Sequence, residues 1–523
     1  MKQKIITYGV WIVFIMMTFV ANSQKITPAI ASNQIQITST APVTPVLKRI
    51  LSNPLIRIRI YIPQSIREKK YQKINCTLNK SAVNNIEEIH VFFTDTEPFF
   101  DTSNLIAKIS PSSTNFIIPV DFTLKPGLHY IWLSANLKDY AHINDKIELH
   151  CTGLTDADNK KVIVTEENFG YDKHIGIDLR KAGDDGVNTY RIPGITTTAK
   201  GTLIAVYDIR YNNSKDLPEN IDVGMNRSKD GGQTWEPMKV IMDMGAPQEN
   251  NGIGDPAILF DPVTKKIWVA ALWSKGNHSI AGSIGGLSPD STGQFMLASS
   301  DDDGITWSKP VNITAQVKDP AWKIFFQGPG NGIAMKDGNI VFPAQYWDEK
   351  NIPHSTIIYS DDHGATWKRG TGAKSNTTES TIVETTPGTL MLNMRDNRGE
   401  FRSIATTKNM GKTWIEDPTS YSALPDPVCM GSLLKAKVKV KGIMKEVLFF
   451  SNPNSSSVRS HITIKASLDQ GKNWLPVNQL LIDQRKCYGY SSLTKIDDNT
   501  IGILYEGIKD LYFVPVPVSD IIK

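Results

Sequence analysis

From residue 46 onward apolar and polar side chains alternate in short runs, and no stretch carries the three-to-four-residue spacing of an amphipathic helix. In Ile56-Arg57-Ile58-Arg59-Ile60-Tyr61-Ile62 every second position is isoleucine, so one face of an extended chain is apolar and the other is charged. Similar runs at 89–93, 116–120 and 129–133, with turn residues between them, predict a small antiparallel β-sandwich over residues 46–168. Ahead of it, residues 24–45 are rich in Ser, Thr, Asn, Gln and Pro and read as a flexible lead-in.

Beyond residue 170 the same alternation becomes a repeat. Ser228-Lys229-Asp230-Gly231-Gly232-Gln233-Thr234-Trp235 returns as Ser300-Asp301-Asp302-Asp303-Gly304-Ile305-Thr306-Trp307 and as Ser360-Asp361-Asp362-His363-Gly364-Ala365-Thr366-Trp367. Weaker copies end in Trp414 and Trp474, so the tryptophans lie 72, 60, 47 and 60 residues apart, the length of four short strands with their loops. The pattern suits a locked turn: the Asp, or Asn409, accepts from the turn's own backbone, the Gly takes a dihedral closed to other residues, and the Trp buries its ring. Apolar runs at 202–207, 266–272, 339–342, 389–394 and 501–505 supply strands. Five boxed units and one without a box predict a six-bladed β-propeller over 170–523, and hence an all-β chain.

Composition narrows the function. A formal charge of +4 on 523 residues is too dilute for nucleic acid or an anionic membrane as partner. Residues 1–23 carry Lys2 and Lys4, an apolar core at 10–17 and a small-x-small end, and read as a signal peptide, so the mature chain is expected to be exported to the periplasm or beyond and not integral to a membrane. Cys76, Cys151, Cys429 and Cys487 are too scattered for a zinc site or a disulfide framework, although Cys76 and Cys151 share one region. No metal-ligand cluster is present, and no cofactor is expected.

Between the boxes stand residues that a bare scaffold does not need. Tyr190-Arg191-Ile192-Pro193 together with the five turn motifs resembles the bacterial exo-α-sialidases (neuraminidases) with Asp-box, or BNR, repeats, over essentially all of 170–523, and the preceding sandwich resembles their accessory domain more loosely. The resemblance implies an arginine triad, Arg191, Arg395 and Arg459, clamping the substrate carboxylate; guanidinium forks stay charged and donate in pairs, which suits a planar carboxylate. Arg210 would reach the O4 side of the sugar, with Asp255 near O4 or the N-acetyl nitrogen, and Gln345 on the glycerol side. Asp216, six residues after Arg210, would be the general acid/base, with Asp222 a rival that reads as structural. Tyr490, before Ser491-Ser492-Leu493, matches the nucleophile, with Tyr488 as its neighbour, and Glu379 matches the carboxylate that activates it. Glu506 would orient Arg191, Glu384 would support a turn, and the Leu272-Trp273 region would supply the acetyl pocket.

The implied activity is hydrolysis of terminal α-linked sialic acid from glycoproteins, gangliosides and sialyl-oligosaccharides with retention of configuration. A tyrosine in place of the usual second carboxylate is the sialidase departure from other glycosidases. Its physical reason is that the anomeric carbon bears a carboxylate, which repels an anionic nucleophile, whereas a phenol with an ordinary pKa near ~10 arrives neutral. An intramolecular trans-sialidase shares these residues, a sialic acid-binding propeller would dispense with Asp216, Glu379 and Tyr490, and a scaffold for protein contacts would dispense with the arginines. The sandwich reads equally as a glycan-binding module or as a spacer.

Overall fold

A computed structural model describes residues 33–167, 169–245 and 250–523. The signal peptide expected over 1–23 lies outside these. The chain is all-β, with three short α-helices, Lys80–Asn85, Thr314–Val317 and Val518–Ile521, among the described residues. None of the described helices is long and apolar enough to cross a membrane.

The N-terminal unit is two packed sheets. One runs in the order Thr165–Glu166, Gln36–Thr40, Asn53–Ile62, Gly127–Leu137, Ile86–Asp95, Leu105–Ile109, and the other carries Lys146–Asp156, Lys69–Leu78 and Asn115–Leu124. The isoleucines of the founding alternation, Ile56, Ile58 and Ile60, are fully buried in one core with Ile89 of their own sheet and Ile74 and Leu154 of the facing one. Cys76 and Cys151 sit opposite each other on adjacent strands as free, buried thiols.

The expectation of a flexible lead-in over 24–45 is corrected for its described part. Gln36–Thr40 is a strand paired antiparallel to Asn53–Ile62, and Val43 exchanges two hydrogen bonds with Gln484 of the propeller, each 2.9 Å. Polar composition misled because a strand near the sheet edge needs few apolar side chains, here Ile37 buried beside Thr38 and Ser39. The two units share a strand: Asp172–Arg180 pairs at its start with Lys146–Asp156 of the sandwich and at its end with Leu511–Pro517.

That last pairing closes the propeller. Five blades follow chain order, led by the inner strands Thr189–Thr197, Gly252–Phe260, Ile324–Gln327, Thr377–Thr386 and Ser432–Val440. The sixth takes Ser491–Lys495, Thr500–Glu506 and Leu511–Pro517 from the C-terminus, and its outermost strand, Asp172–Arg180, from before blade one. Joining first and last residues of the ring in one sheet ties the circle without a covalent bond. It also explains the blade without a box, since its fourth strand arrives from elsewhere in the chain.

Each box bridges the third and fourth strands of its blade. In blade three Ser360 Oγ donates to Asp362 Oδ1 at 2.7 Å and accepts from Gly364 N at 2.7 Å, while Thr366 returns its N–H and hydroxyl to the Asp362 carboxylate at 2.9 and 2.6 Å. The five box glycines, 232, 304, 364, 411 and 471, all have φ between +73° and +94°. They also face the preceding blade: a Cβ on Gly364 would lie 2.2 Å from the Trp268 ring. Gly364→Ala is therefore expected to cost about 2–4 kcal/mol from overpacking and backbone strain. It should lower the thermal midpoint and leave kcat below the transition unchanged, because strand direction puts the boxes at the end of the barrel opposite the arginines.

Candidate active site

Inner strands begin, and second strands end, at one rim of the ring, and the singled-out residues gather there. Arg191, Asp255 and Glu379 lie near the starts of inner strands, Arg210, Arg395 and Glu506 at or next to the ends of second strands, and Tyr490 immediately before the inner strand of blade six. Three of these inner strands bulge where the functional residue sits, between Arg191 and Gly194, Gly254 and Ala257, and Thr377 and Ser380. Ile192 and Asp255 take φ of +58° and +56°. A β-branched residue in that region is strained, and Ile192 is held by its N–H donating to buried Glu506 at 3.0 Å. Bulges re-aim side chains that regular pleating would send into the blade.

Tyr490 is the centre of the cluster. Its hydroxyl contacts both oxygens of Glu379, at 2.5 and 2.6 Å, and accepts from Arg395 Nη1 at 3.0 Å. Arg395 also pairs with Glu379 at 2.8 Å. The guanidiniums of Arg191 and Arg459 stand over the Tyr490 ring, 5.4 and 5.8 Å from its centroid, so all three triad arginines touch one phenol. Burial and the Glu379 charge push the Tyr490 pKa well up, against the opposing field of Arg395 and Arg191, and the resting group is a neutral phenol.

Glu506 is fully buried and fixes two of these parts at once. One oxygen accepts from Arg191 Nε at 3.0 Å and the other from the backbone N–H of Tyr490 at 2.9 Å. Arg459 differs from its partners: it donates to the carbonyls of Tyr488 and Val428, at 3.0 and 2.8 Å, rather than to a carboxylate. Two other arginines are held away from the cavity: Arg402 is wholly buried on Asn393 and the Cys429 carbonyl, and Arg485 is paired with Asp483.

Asp216 stands on the loop after blade one's second strand, its side chain 67% exposed, accepting from Arg210 at 2.7 Å and Arg191 at 3.3 Å. Although its surface is open, desolvation by the surrounding rim works to raise its pKa, and Arg210 and Arg191 outweigh this and hold the carboxyl below its usual range. Leu217, next in the chain, anchors the loop in a cluster with Ile221, Leu272, Ile324 and Phe326. Asp222 instead accepts from the Tyr211 hydroxyl at 2.9 Å, which agrees with a structural role, and Glu384 accepts from Gly388 N at 2.7 Å at a turn.

These groups surround a cavity of about 360 Å3 lined by Arg191, Asp216, Asp255, Glu379, Arg395, Arg459, Gln345 and Tyr490. Its apolar wall is Ile280, Phe326 and Trp347. The expectation that the Leu272-Trp273 region forms this wall is corrected: Leu272 is packed behind Phe326, and Trp273 donates to Asn251 at 2.7 Å. Arg210 is buried one layer behind the lining residues, its Nε and Nη2 both donating to Asp208 Oδ2 at 3.1 and 2.8 Å. Asp208 was missed by motif reading, yet it holds Arg210 and accepts from Asp255 N at 2.8 Å. The signal was an acid inside the apolar run Ala205-Val206-Tyr207-Asp208-Ile209, where an unpaired carboxylate is too costly to keep. Among the described residues no group of three or more His, Cys, Asp and Glu is arranged to hold a metal.

Comparison with known proteins gives the arrangement its relatives. The family described as BNR repeat-like domain matches residues 201–503, and the N-terminal domain of BNR-repeat neuraminidase matches 33–161. A sialidase of Bacteroides fragilis is 45% identical over 427 residues, covering 80% of this chain and 78% of its own. A sialidase of Micromonospora viridifaciens is 33% identical over 63% of this chain and 51% of its own. The solved structure of a Hadza microbial sialidase superposes with a TM-score of 0.86 at 38% identity, covering 93% of this chain and all of that one.

Proposed function

The chain belongs to the exo-α-sialidases, glycoside hydrolases with BNR repeats, and from that premise we propose that it works by retention through a covalent Tyr490 intermediate, on terminal α-linked sialic acids of glycoproteins, gangliosides and oligosaccharides. The observation that carries this reading is the hydroxyl of Tyr490 lying within 2.6 Å of both Glu379 oxygens and 3.0 Å from Arg395. That contact gives the phenol a place to leave its proton at the moment it attacks.

The substrate carboxylate sits between Arg191, Arg395 and Arg459. Tyr490 Oη bonds to the anomeric carbon as its proton passes to Glu379, and the glycosidic C–O bond breaks as the leaving oxygen takes a proton from Asp216. Water then gives its proton to Asp216 and its oxygen to the anomeric carbon, and the departing phenolate recovers its proton from Glu379. The depressed pKa of Asp216 is consistent with this cycle because its cause is Arg210 and Arg191. A bound substrate carboxylate offsets that positive field, so Asp216 regains protons when the leaving group needs one. Gln345 faces the glycerol side, Asp255 the O4 and N-acetyl side, and the Ile280, Phe326 and Trp347 wall takes the acetyl methyl. The basic and apolar pattern of residues 1–23 supports an exported enzyme.

Proton NMR of the enzyme with 3′-sialyllactose, followed from the first minutes, tests the reading. Early α-N-acetylneuraminic acid relaxing later to the β form is the expected course. First appearance of the β form overturns the covalent intermediate, and a 2,7-anhydro product transfers the protein to the intramolecular trans-sialidases.

A further inference from the structure

The three clamp arginines are held in two different ways. Arg191 and Arg395 each pair with a carboxylate, Glu506 at 3.0 Å and Glu379 at 2.8 Å. No described carboxylate pairs with Arg459, whose two terminal nitrogens donate instead to the carbonyls of Tyr488 and Val428. A neutral acceptor aims a guanidinium without cancelling its charge, so Arg459 keeps its full field for an incoming carboxylate. A carbonyl also holds less firmly than a carboxylate, and the aim of Arg459 is therefore set by how firmly those two carbonyls are themselves placed.

Val428 lies in the turn Asp426-Pro427-Val428-Cys429-Met430, which leads into the inner strand of blade five, Ser432–Val440. Its φ is +56°, a region that a β-branched residue occupies only under constraint. Two bonds at the next residue supply the constraint: Cys429 N donates to Asp426 Oδ1 at 2.8 Å, and the Cys429 carbonyl accepts from Arg402 Nη1. Behind them stands a chain of buried polar groups. Asp426 Oδ2 accepts from Asn452 Nδ2 at 3.2 Å and lies 3.5 Å from Arg402 Nη1, and Asn452 Oδ1 accepts from Lys465 Nζ at 2.6 Å. Arg402, Asp426, Asn452 and Lys465 are each 1% exposed or less. A buried ionic network is a poor way to gain stability, and this one ends on the turn that carries the Val428 carbonyl. We propose that Asp426 is a positioning residue for Arg459: by accepting from Cys429 N it fixes the left-handed turn at Val428 and so aims the carbonyl that holds the third clamp arginine. Asp426 touches no substrate, and its effect on binding rests on the reading of Arg459 as part of the clamp. Without that acceptor Val428 relaxes to an ordinary φ, its carbonyl turns away, and the guanidinium loses one of its two holds.

NMR titration of the full chain with N-acetylneuraminic acid, together with crystal structures, tests this in Asp426→Ala, Asp426→Asn, Arg459→Ala and the double variant Asp426→Ala/Arg459→Ala. Asp426→Ala is expected to bind sialic acid about tenfold or more weakly, with Arg459 Nη2 parted from the Val428 carbonyl in the crystal. Asp426→Asn keeps an acceptor for Cys429 N and should stay within about threefold of wild type. The double variant should bind no more weakly than Arg459→Ala alone, because the two residues act as one unit. An Arg459 that stays on Val428 in Asp426→Ala overturns the proposal. A further loss in the double variant also overturns it, by marking a general loosening of the rim, as does an Asp426→Asn loss equal to that of Arg459→Ala, by assigning the effect to buried charge. Should Asp426→Ala strand Arg402 too badly to fold, Arg402→Met/Asp426→Leu removes both charges together, which a core tolerates better, and wild-type affinity there overturns the proposal equally. Wild-type affinity in Arg459→Ala removes Arg459 from the clamp, while the crystallographic position of its guanidinium still decides the role of Asp426.

Discussion

Tyr490→Phe is expected to lower kcat by on the order of a thousandfold or more, the scale on which loss of a covalent nucleophile acts, while the fold and the clamp persist. The ring that Arg191 and Arg459 cover is unchanged in phenylalanine, and the Arg395–Glu379 pair at 2.8 Å does not depend on the hydroxyl. The thermal midpoint and the affinity for sialic acid should therefore stay near wild type while single-turnover chemistry is lost. Unchanged turnover would remove Tyr490 from the mechanism. Tyr488 would then be examined, since its ring also lies beneath Arg191, 4.8 Å from the guanidinium carbon.

Arg191→Ala is expected to fail in two ways at once. Losing one fork of the carboxylate clamp should cost about 2–5 kcal/mol of binding, or roughly thirty- to several-thousandfold in kcat/KM. It also strands Glu506, fully buried, with only the N–H groups of Ile192 and Tyr490 as donors. An uncompensated buried charge costs about 3–5 kcal/mol of stability. Thermal unfolding should shift markedly in this variant and hardly at all in Tyr490→Phe, and that contrast is the check. An Arg191→Ala protein of wild-type stability would mean that Glu506 is protonated or resolvated, and that its link to Arg191 is not what holds the rim together.

The boxes, the alternation and the arginine motifs are local, and so they were readable. A turn lock is made by residues at fixed offsets, as Ser360, Asp362, Gly364 and Thr366 show, and its chemistry is complete within eight positions. The sixth blade was legible only as a count, because its outer strand, Asp172–Arg180, is 331 or more residues from its partner Leu511–Pro517 and no local pattern announces such a pairing. The same holds for Gln36–Thr40, whose strand character comes from the neighbour that completes its hydrogen bonds.

Within the site, the sequence by itself determined which chemistry was present: a phenol, two acids and a set of guanidiniums, in motifs short enough to recognise. Tertiary structure decided what those groups are to one another. It separated Arg459 from Arg402 by where each guanidinium ends, one facing the cavity and one walled in on Asn393. It put Ile280, Phe326 and Trp347 on the apolar wall in place of the Leu272-Trp273 region, and it revealed Asp208 as the buried acid that holds Arg210, the counterpart of Glu506 on Arg191. The reason is physical. A turn's energy is set by neighbours along the chain, whereas the direction of an active-site side chain is set by a bulge in its own strand and a charge from another blade, and both exist only once the ring has closed.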